Sequence, residues 1–102
     1  MTGLETALSV VQATMVDTGR LTWADVARVL STNPARIGRV EDHGRPVAVG
    51  EPANLTLIDP DARAVVDRNT SASASRNNPW HDRDLPDPIV TTLWNGRVTY
   101  RR

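Results

Sequence analysis

The first forty residues carry apolar side chains at the spacing of amphipathic helices. In the first segment the apolar positions are Leu4, Ala7, Leu8, Val11, Met15 and Val16. Thr2 and Glu5 stand three residues apart, as in a capping box, and Gly19 supplies a C-terminal stop, so this stripe predicts a helix between them. Val10 and Ala13 lie outside the stripe, which predicts that the helix is buried on more than one side.

Two further helices are predicted before residue 40. The second has an apolar face formed by Trp23, Val26, Ala27 and Leu30. Thr22 and Asp25 repeat the capping pattern ahead of it. Asn33 is a favourable N-cap for a third, short helix, and Pro34 suits its first position because the missing N–H is not needed there. This third helix is predicted to end near Gly38.

The pattern becomes typical of β-structure after residue 40. Residues 55–58, Leu-Thr-Leu-Ile, predict a strand that stops at the turn Asp59-Pro60-Asp61. Near the end, two β-prone runs flank Asn95-Gly96, the preferred sequence for a type I′ hairpin turn. We predict that residues 46–66 and 89–100 form strands of one small sheet that pairs terminal with internal segments. The fold class is therefore α+β.

A long segment, residues 67–88, separates the predicted strands and contains few large apolar residues beyond Trp80 and Leu85. Loops of this length are uncommon unless they are functional, disordered or docked on a larger surface. The Ser-Ala-Ser-Ala-Ser run at 71–75 is also compatible with a flexible linker. We interpret Trp80 as an anchor that pins the segment to another surface, in preference to a ligand-stacking role.

Composition narrows the functional classes. The 102 residues allow one domain at most, and only 39% are hydrophobic, with three Trp, one Tyr and no Phe. Twelve basic and twelve acidic residues cancel, so no electrostatic footprint for nucleic acid or anionic membrane is expected. The lack of cysteine, of a signal peptide and of a long apolar run favours a cytoplasmic protein.

No catalytic, cofactor-binding or metal-binding residue is predicted within the chain. His43 and His81 lie far apart in polar loops, whereas a hydrolytic zinc site needs several converging ligands. We therefore interpret both as surface histidines. Asp59 and Asp61 flank a proline and suit a turn better than an acid–base pair. Glu5, Asp17 and Asp25 have capping or solvent-exposed roles open to them, and no nucleophile elbow or phosphate loop is present.

Four stretches of the chain resemble the end of the type I dihydroorotases, which are metal-dependent cyclic amidohydrolases. They are residues 3–8 (Gly-Leu-Glu-Thr-Ala-Leu), 30–37 (Leu-Ser-Thr-Asn-Pro-Ala-Arg-Ile), 50–59 and 73–80. Asn54 departs from the family's usual Asp, and Ala74, Asn78 and Trp80 replace its Lys, Thr and Phe. The last stretch favours dihydroorotase over hydantoinase or allantoinase.

The resemblance implies that the chain is the C-terminal segment of such an enzyme. Residues 1–40 would be the last helices of a (β/α)8 barrel, and residues 41–102 part of a small β-sandwich with a docking loop at 67–88. The whole enzyme would use zinc to interconvert N-carbamoyl-L-aspartate and dihydroorotate in pyrimidine biosynthesis. The family's metal ligands and catalytic aspartate all precede the segment matched by residues 3–8.

The same resemblance implies the partners of the chain and its limits. Its main partner would be the N-terminal barrel portion of the same enzyme, which would be a cytoplasmic homo-oligomer. The chain alone would bind no zinc and have no activity. Two alternatives stay open: a free-standing α+β protein-interaction module, and the tail of another cyclic amidohydrolase such as hydantoinase or allantoinase.

Overall fold

The computed structural model describes all residues 1–102 and has an α+β architecture of two helices followed by five short strands. Helix α1 runs through Ala7–Val11 and continues as a π-helical stretch, Gln12–Val16. Helix α2 runs through Trp23–Ala27, a second π-helical stretch Arg28–Thr32, and Asn33–Gly38.

The predicted capping box at the start of α1 is wrong. The N-cap residue is Thr6, and its side chain makes no capping hydrogen bond. Thr2 and Glu5 bond to a distant part of the chain instead. The backbone N–H of Thr2 donates to the carbonyl of Asn77 at 2.9 Å, and Glu5 Oε1 accepts from Ser71 Oγ at 2.6 Å. A tertiary contact has therefore replaced the local one.

The capping box predicted for the second helix is confirmed. Thr22 Oγ1 accepts from the backbone N–H of Asp25 at 3.2 Å, and Asp25 Oδ2 accepts from the N–H of Thr22 at 3.0 Å. A hydrogen bond from Arg28 is the main reason that the pKa of Asp25 lies well below its usual range.

The separate third helix is not observed, because α2 passes through Asn33 with helical φ and ψ of −67° and −46°. Proline normally disturbs a helix by clashing with the carbonyl one turn earlier. Here the wider π-helical turn of Arg28–Thr32 immediately precedes Pro34 and gives its ring room. The predicted end at Gly38 is confirmed, with Arg39 in the left-handed conformation beyond it.

The five strands form two antiparallel sheets and not the one sheet that was predicted. The strands are β1 (Leu55–Ile58), β2 (Arg63–Val65), β3 (Asp84–Pro86), β4 (Ile89–Trp94) and β5 (Arg97–Arg101). The larger sheet has the order β1-β4-β5, so a terminal hairpin does pair with an internal strand as expected. The β4–β5 turn has positive φ at both Asn95 (49°) and Gly96 (78°), which confirms the I′ prediction.

The second sheet pairs β2 with β3, and β3 lies inside the long segment where no strand was predicted. Residues 46–49, by contrast, were expected to begin the β-structure but form no strand. Their second half belongs to a turn at 48–51, where Glu51 N–H bonds to the carbonyl of Ala48. An extended segment becomes a strand only when a partner supplies the ladder, and none pairs with these residues.

The interior is small and largely polar. Only seven of the 102 residues are buried, and Val26 is the one aliphatic side chain among them. The others are Thr6, Ser9, Gln12, Thr91, Pro86 and Pro88. Helix α1 packs against β3, so its polar residues form much of this interior. The radius of gyration is 14.5 Å, compared with about 13 Å for a compact domain of this length.

Candidate interface

The two histidines do not form a metal centre. His43 Nδ1 lies 3.0 Å from Asp42 Oδ1, and His81 lies 3.6 Å from Asp82 and 4.0 Å from Asp67. No group of three or more His, Cys, Asp or Glu side chains is arranged to hold a metal ion. Asp59 acts in its turn, where Oδ1 accepts from the backbone N–H of Asp61 at 3.1 Å.

Helix α1 buries a row of polar side chains, whereas none of its large apolar side chains is fully buried. Thr6, Ser9 and Gln12 follow one side of the helix and are 6%, 8% and 3% exposed. Of the predicted apolar stripe, Leu4 lies in the turn before the helix and is 96% exposed, and Met15 is 38% exposed. Leu8, Val11 and Val16 are half-buried. An amphipathic helix normally does the reverse. The apolar stripe of α1 therefore lacks the neighbour that would cover it.

Gln12 fixes this orientation. Its Nε2 donates to the carbonyl of Pro60 at 2.7 Å and to Asp17 Oδ1 at 3.4 Å. Since both of these partners are acceptors, the amide nitrogen must face them. The side-chain carbonyl oxygen is buried without a partner. The bond to Pro60 ties α1 to the turn between β1 and β2.

Helix α2 also presents an uncovered apolar stripe. Ala27, Leu30, Pro34 and Ile37 recur at intervals of three and four residues, and all four are exposed. Ile37 is 78% exposed. A row of exposed apolar side chains along one helix is typical of a surface that contacts another protein surface. We define the outward stripes of α1 and α2 together as the candidate interface.

The long segment between β2 and β3 is tied to the start of the chain through Glu5. The Glu5 carboxylate accepts from Ser71 Oγ at 2.6 Å and from the backbone N–H of Ser73 at 3.2 Å. The Ser71 hydroxyl is the main cause of the lowered pKa of Glu5. Arg76 Nη1 closes the same turn by donating to the carbonyls of Ser71 and Ser73 at 2.8 and 2.6 Å.

Trp80, the proposed anchor of this segment, is half-buried. Its backbone N–H donates to Asn78 Oδ1 at 2.9 Å, so a local Asx contact fixes the backbone just ahead of the indole. Its anchoring role stays a prediction.

Sequence reasoning missed two features of this region. The polar stripe of Thr6, Ser9 and Gln12 is visible at helical spacing, but periodicity alone favours burial of the apolar side. The bond between Glu5 and Ser71 joins residues far apart in sequence and has no local signal.

No helix has the length and hydropathy needed to cross a membrane.

Comparison with known proteins gives one consistent result. No protein-family profile matches the chain. A dihydroorotase of Streptomyces coelicolor is 57% identical over 99 residues, which is 97% of this chain and 23% of the relative. A dihydroorotase of Mycobacterium tuberculosis is 54% identical over 101 residues, 99% of this chain and 24% of the relative. That of Leifsonia xyli is 50% identical over 99 residues, 97% of this chain and 23% of the relative.

These matches extend over nearly the whole chain, whereas the chain spans about a quarter of the length of the curated relatives. Its exposed apolar stripes agree with that difference in length. The resemblance found in the sequence is therefore confirmed, and the chain belongs to the dihydroorotase family as a segment of dihydroorotase sequence.

Proposed function

We propose that this chain is the C-terminal segment of a zinc-dependent dihydroorotase and that its role there is structural. The observation that carries the proposal is the orientation of α1, with Ser9 and Gln12 buried while Met15 is exposed. Exposing an apolar stripe costs about 25 cal/mol for each Å² left in water. The arrangement is favourable when a further layer of the same protein covers that stripe.

The two parts of the chain take different places in this proposal. Residues 1–40 are the last helices of the (β/α)8 barrel, and their outward stripes pack on the rest of it. Residues 41–102 belong to a small β-sandwich, with 67–88 as a docking loop. The three-stranded sheet is compatible with this assignment because both of its faces carry half-exposed apolar side chains, Leu57 and Val98 on one face and Trp94 and Tyr100 on the other.

The whole enzyme would interconvert N-carbamoyl-L-aspartate and dihydroorotate. Zinc supplies an activated water and polarises a carbonyl in hydrolases of this kind. The residues of this chain do not fit a zinc centre, because each histidine has only isolated carboxylates nearby and no set of three ligands converges. We therefore assign the metal and the catalytic groups to the remainder of the enzyme.

The test uses the full-length protein that contains this segment, purified and assayed with dihydroorotate. We expect Ile37→Asp to lower the free energy of unfolding by about 3 kcal/mol or more, because it would bury an unpaired charge. Activity should fall with the fraction of folded protein. The matched control is Arg36→Asp, an exposed neighbour on a different side of α2 in the same last turn. It changes the charge more, but it should lower the free energy of unfolding by only about 1 kcal/mol, through the helix dipole.

Three outcomes would count against the proposal. Equal stability of the two variants would mean that the stripe of α2 is not covered. Turnover of hydantoin or allantoin in place of dihydroorotate would assign the segment to another cyclic amidohydrolase. A reading frame with no dihydroorotase sequence beyond this segment would favour the free-standing interaction module.

A further inference from the structure

The turn between β4 and β5 holds the one asparagine of this chain that precedes a glycine. In chain order, the six asparagines are followed by Pro, Leu, Thr, Asn, Pro and Gly. The backbone nitrogen of a following glycine attacks an asparagine side chain most readily, because glycine has no β-carbon to obstruct the approach. Asn95 and Gly96 are both exposed to solvent. By sequence, Asn95 is therefore the asparagine most susceptible to loss of its side-chain amide.

This loss of the amide consumes only water. The backbone nitrogen of Gly96 attacks Cγ of Asn95 and closes a five-membered succinimide ring. The bond from Cγ to the side-chain nitrogen breaks, and that nitrogen leaves as ammonia with the proton given up by the Gly96 nitrogen. Water then opens the ring at either carbonyl and leaves aspartate or isoaspartate. Isoaspartate carries the main chain through the side-chain methylene, so its longer backbone no longer fits a two-residue turn.

The folded turn holds the reacting atoms apart. Asn95 and Gly96 have φ of 49° and 78°, as in a type I′ turn, whose first central residue has a ψ of about +30°. At that ψ the Gly96 nitrogen lies on the opposite side of the Cα–C bond from the Asn95 side chain. The ring needs the two groups eclipsed about this bond, so the peptide unit must rotate through roughly 150°. The reaction therefore requires the turn to open.

The residues just ahead of β1 bond to both amides of the turn. Gly96 N–H donates to the carbonyl of Ala53 at 3.0 Å, and Asn95 N–H donates to Asn54 Oδ1 at 2.8 Å. The first bond must break when the peptide unit rotates, and it also keeps the Gly96 N–H from the base that removes its proton. Asn54 is itself held, because its Nδ2 donates to the carbonyl of Asp42 at 3.1 Å. We call residues 53–54 the turn clasp.

We propose that Asn95 is a site of spontaneous deamidation that the turn clasp keeps closed, and that Asn54 controls how often it opens. The site reacts only in molecules whose clasp has released the turn. Isoaspartate at this position then prevents the turn from closing again, so a transient opening becomes a permanent one. All the groups involved lie within this chain, so the site does not depend on the proposed function.

Peptide mapping of the full-length protein tests the site. The protein is incubated in mildly alkaline buffer made with heavy-oxygen water, either folded or fully denatured, and is then digested with trypsin. Digestion releases residues 84–97, in which Asn95 is the only asparagine. Mass spectrometry measures the labelled oxygen gained, and chromatography separates aspartate from isoaspartate.

We expect both products in this peptide, formed on the order of 100-fold more slowly in the folded protein than in the denatured one, because the folded turn must first open. Equal rates in the two states would overturn the proposal. So would aspartate without isoaspartate, which would indicate direct hydrolysis of the side chain, or no labelled product in either state.

Two substitutions of one residue test the role of Asn54. Asn54→Ala removes the acceptor for the Asn95 N–H, and we expect it to speed the reaction in the folded protein roughly three- to tenfold, as the loss of one hydrogen bond implies. Asn54→Asp is the matched control, because a carboxylate still accepts from that N–H but cannot donate to the Asp42 carbonyl. Its rate should stay within about twofold of the wild type. Equal acceleration by both variants, or by neither, would overturn the control by Asn54.

The urea dependence of the rate separates opening of the turn clasp from unfolding of the whole protein. Local opening exposes little surface and responds weakly to urea, whereas global unfolding responds steeply. The rate in the Asn54→Ala variant should therefore stay flat at low urea and rise only near its denaturation midpoint. A steep rise from the lowest urea concentrations would mean that the reaction follows global unfolding, and would overturn the proposal.

Discussion

The loop after α2 passes so close to the helix that Gly44 has no space for a side chain. A β-carbon at this position would lie 2.7 Å from Ala35 Cβ, 2.9 Å from the carbonyl oxygen of Ser31 and 3.0 Å from Thr32 Cα. Its φ of +65° also lies in the left-handed region that favours glycine. Gly44 thus sets how closely the loop that leads to the sheets approaches α2.

We expect Gly44→Ala to lower the free energy of unfolding of the full-length protein by about 2–4 kcal/mol, combining left-handed strain with overpacking. The control is Gly19→Ala, which has a similar φ of +73° but nothing within 4 Å of the added carbon. It should cost only about 1 kcal/mol. Urea denaturation of both variants provides the comparison, and equal losses would show that the approach at Gly44 is not tight.

Single residues were predictable from the sequence where their partners are local. The pair Thr22 and Asp25 and the turn Asn95-Gly96 behave as their sequence patterns indicate, because each depends on a neighbour within three residues. Glu5 had an equally good local pattern, but the hydroxyl of Ser71 and the N–H of Ser73 were available to its carboxylate. Sequence periodicity does not predict a contact between residues that are so far apart in the chain.

At the scale of elements, the hydrogen bond between Glu5 and Ser71 should determine how firmly the 67–88 segment is held against the start of the chain. We expect Ser71→Ala to speed tryptic cleavage after Arg76 in the folded full-length protein by roughly five- to tenfold, because a hydroxyl-to-carboxylate bond is lost. Ser73→Ala is the matched control, since Glu5 bonds to the backbone N–H of Ser73 and not to its side chain. Equal cleavage rates of the two variants would show that this hydrogen bond does not hold the segment against the start of the chain.

The same contact has a defined pH dependence. The pKa of Glu5 is lowered in the folded chain, mainly by the Ser71 hydroxyl. Its stabilising contribution is therefore complete above the unfolded-state pKa of about 4.3 and is lost as the pH falls through the lower folded-state value. Denaturation midpoints of the wild type and Glu5→Gln should differ at pH 7 and converge only once the pH has fallen below the lowered folded-state pKa of Glu5. A gap that persists in acid would mean that the contribution is not ionic.

The elements themselves were predicted better than their boundaries and partners. Leu55–Ile58 and the terminal hairpin have strong β-patterns and were found. β3 was missed because three residues, Asp-Leu-Pro, carry no alternating pattern and become a strand only beside β2. The π-helical turn before Pro34 was missed because the preference of Asn33 and Pro34 for a helix start is a local rule that the wider turn overrides.

At the scale of the whole molecule, the uncovered stripes predict that the 102-residue chain is poorly stable in isolation. Val26 is its only buried aliphatic side chain, and so small a core cannot offset the conformational entropy of folding. We expect the isolated chain to associate, to bind a hydrophobic dye and to lack a sharp thermal transition. A monomer with cooperative, two-state unfolding would contradict this expectation and favour the free-standing module.

The small β2–β3 sheet has a consequence for the entropy of closing the larger one. Pairing Ile58 with Ile89 closes the whole loop of residues 59–88. Once Arg63 is paired with Pro86, only residues 59–62 and 87–88 remain to be ordered in that closure. Shortening the effective loop roughly fivefold lowers the closure cost by about 1.4 kcal/mol. Three paired residues in each of two short strands thus make a distant pairing behave almost as a local one.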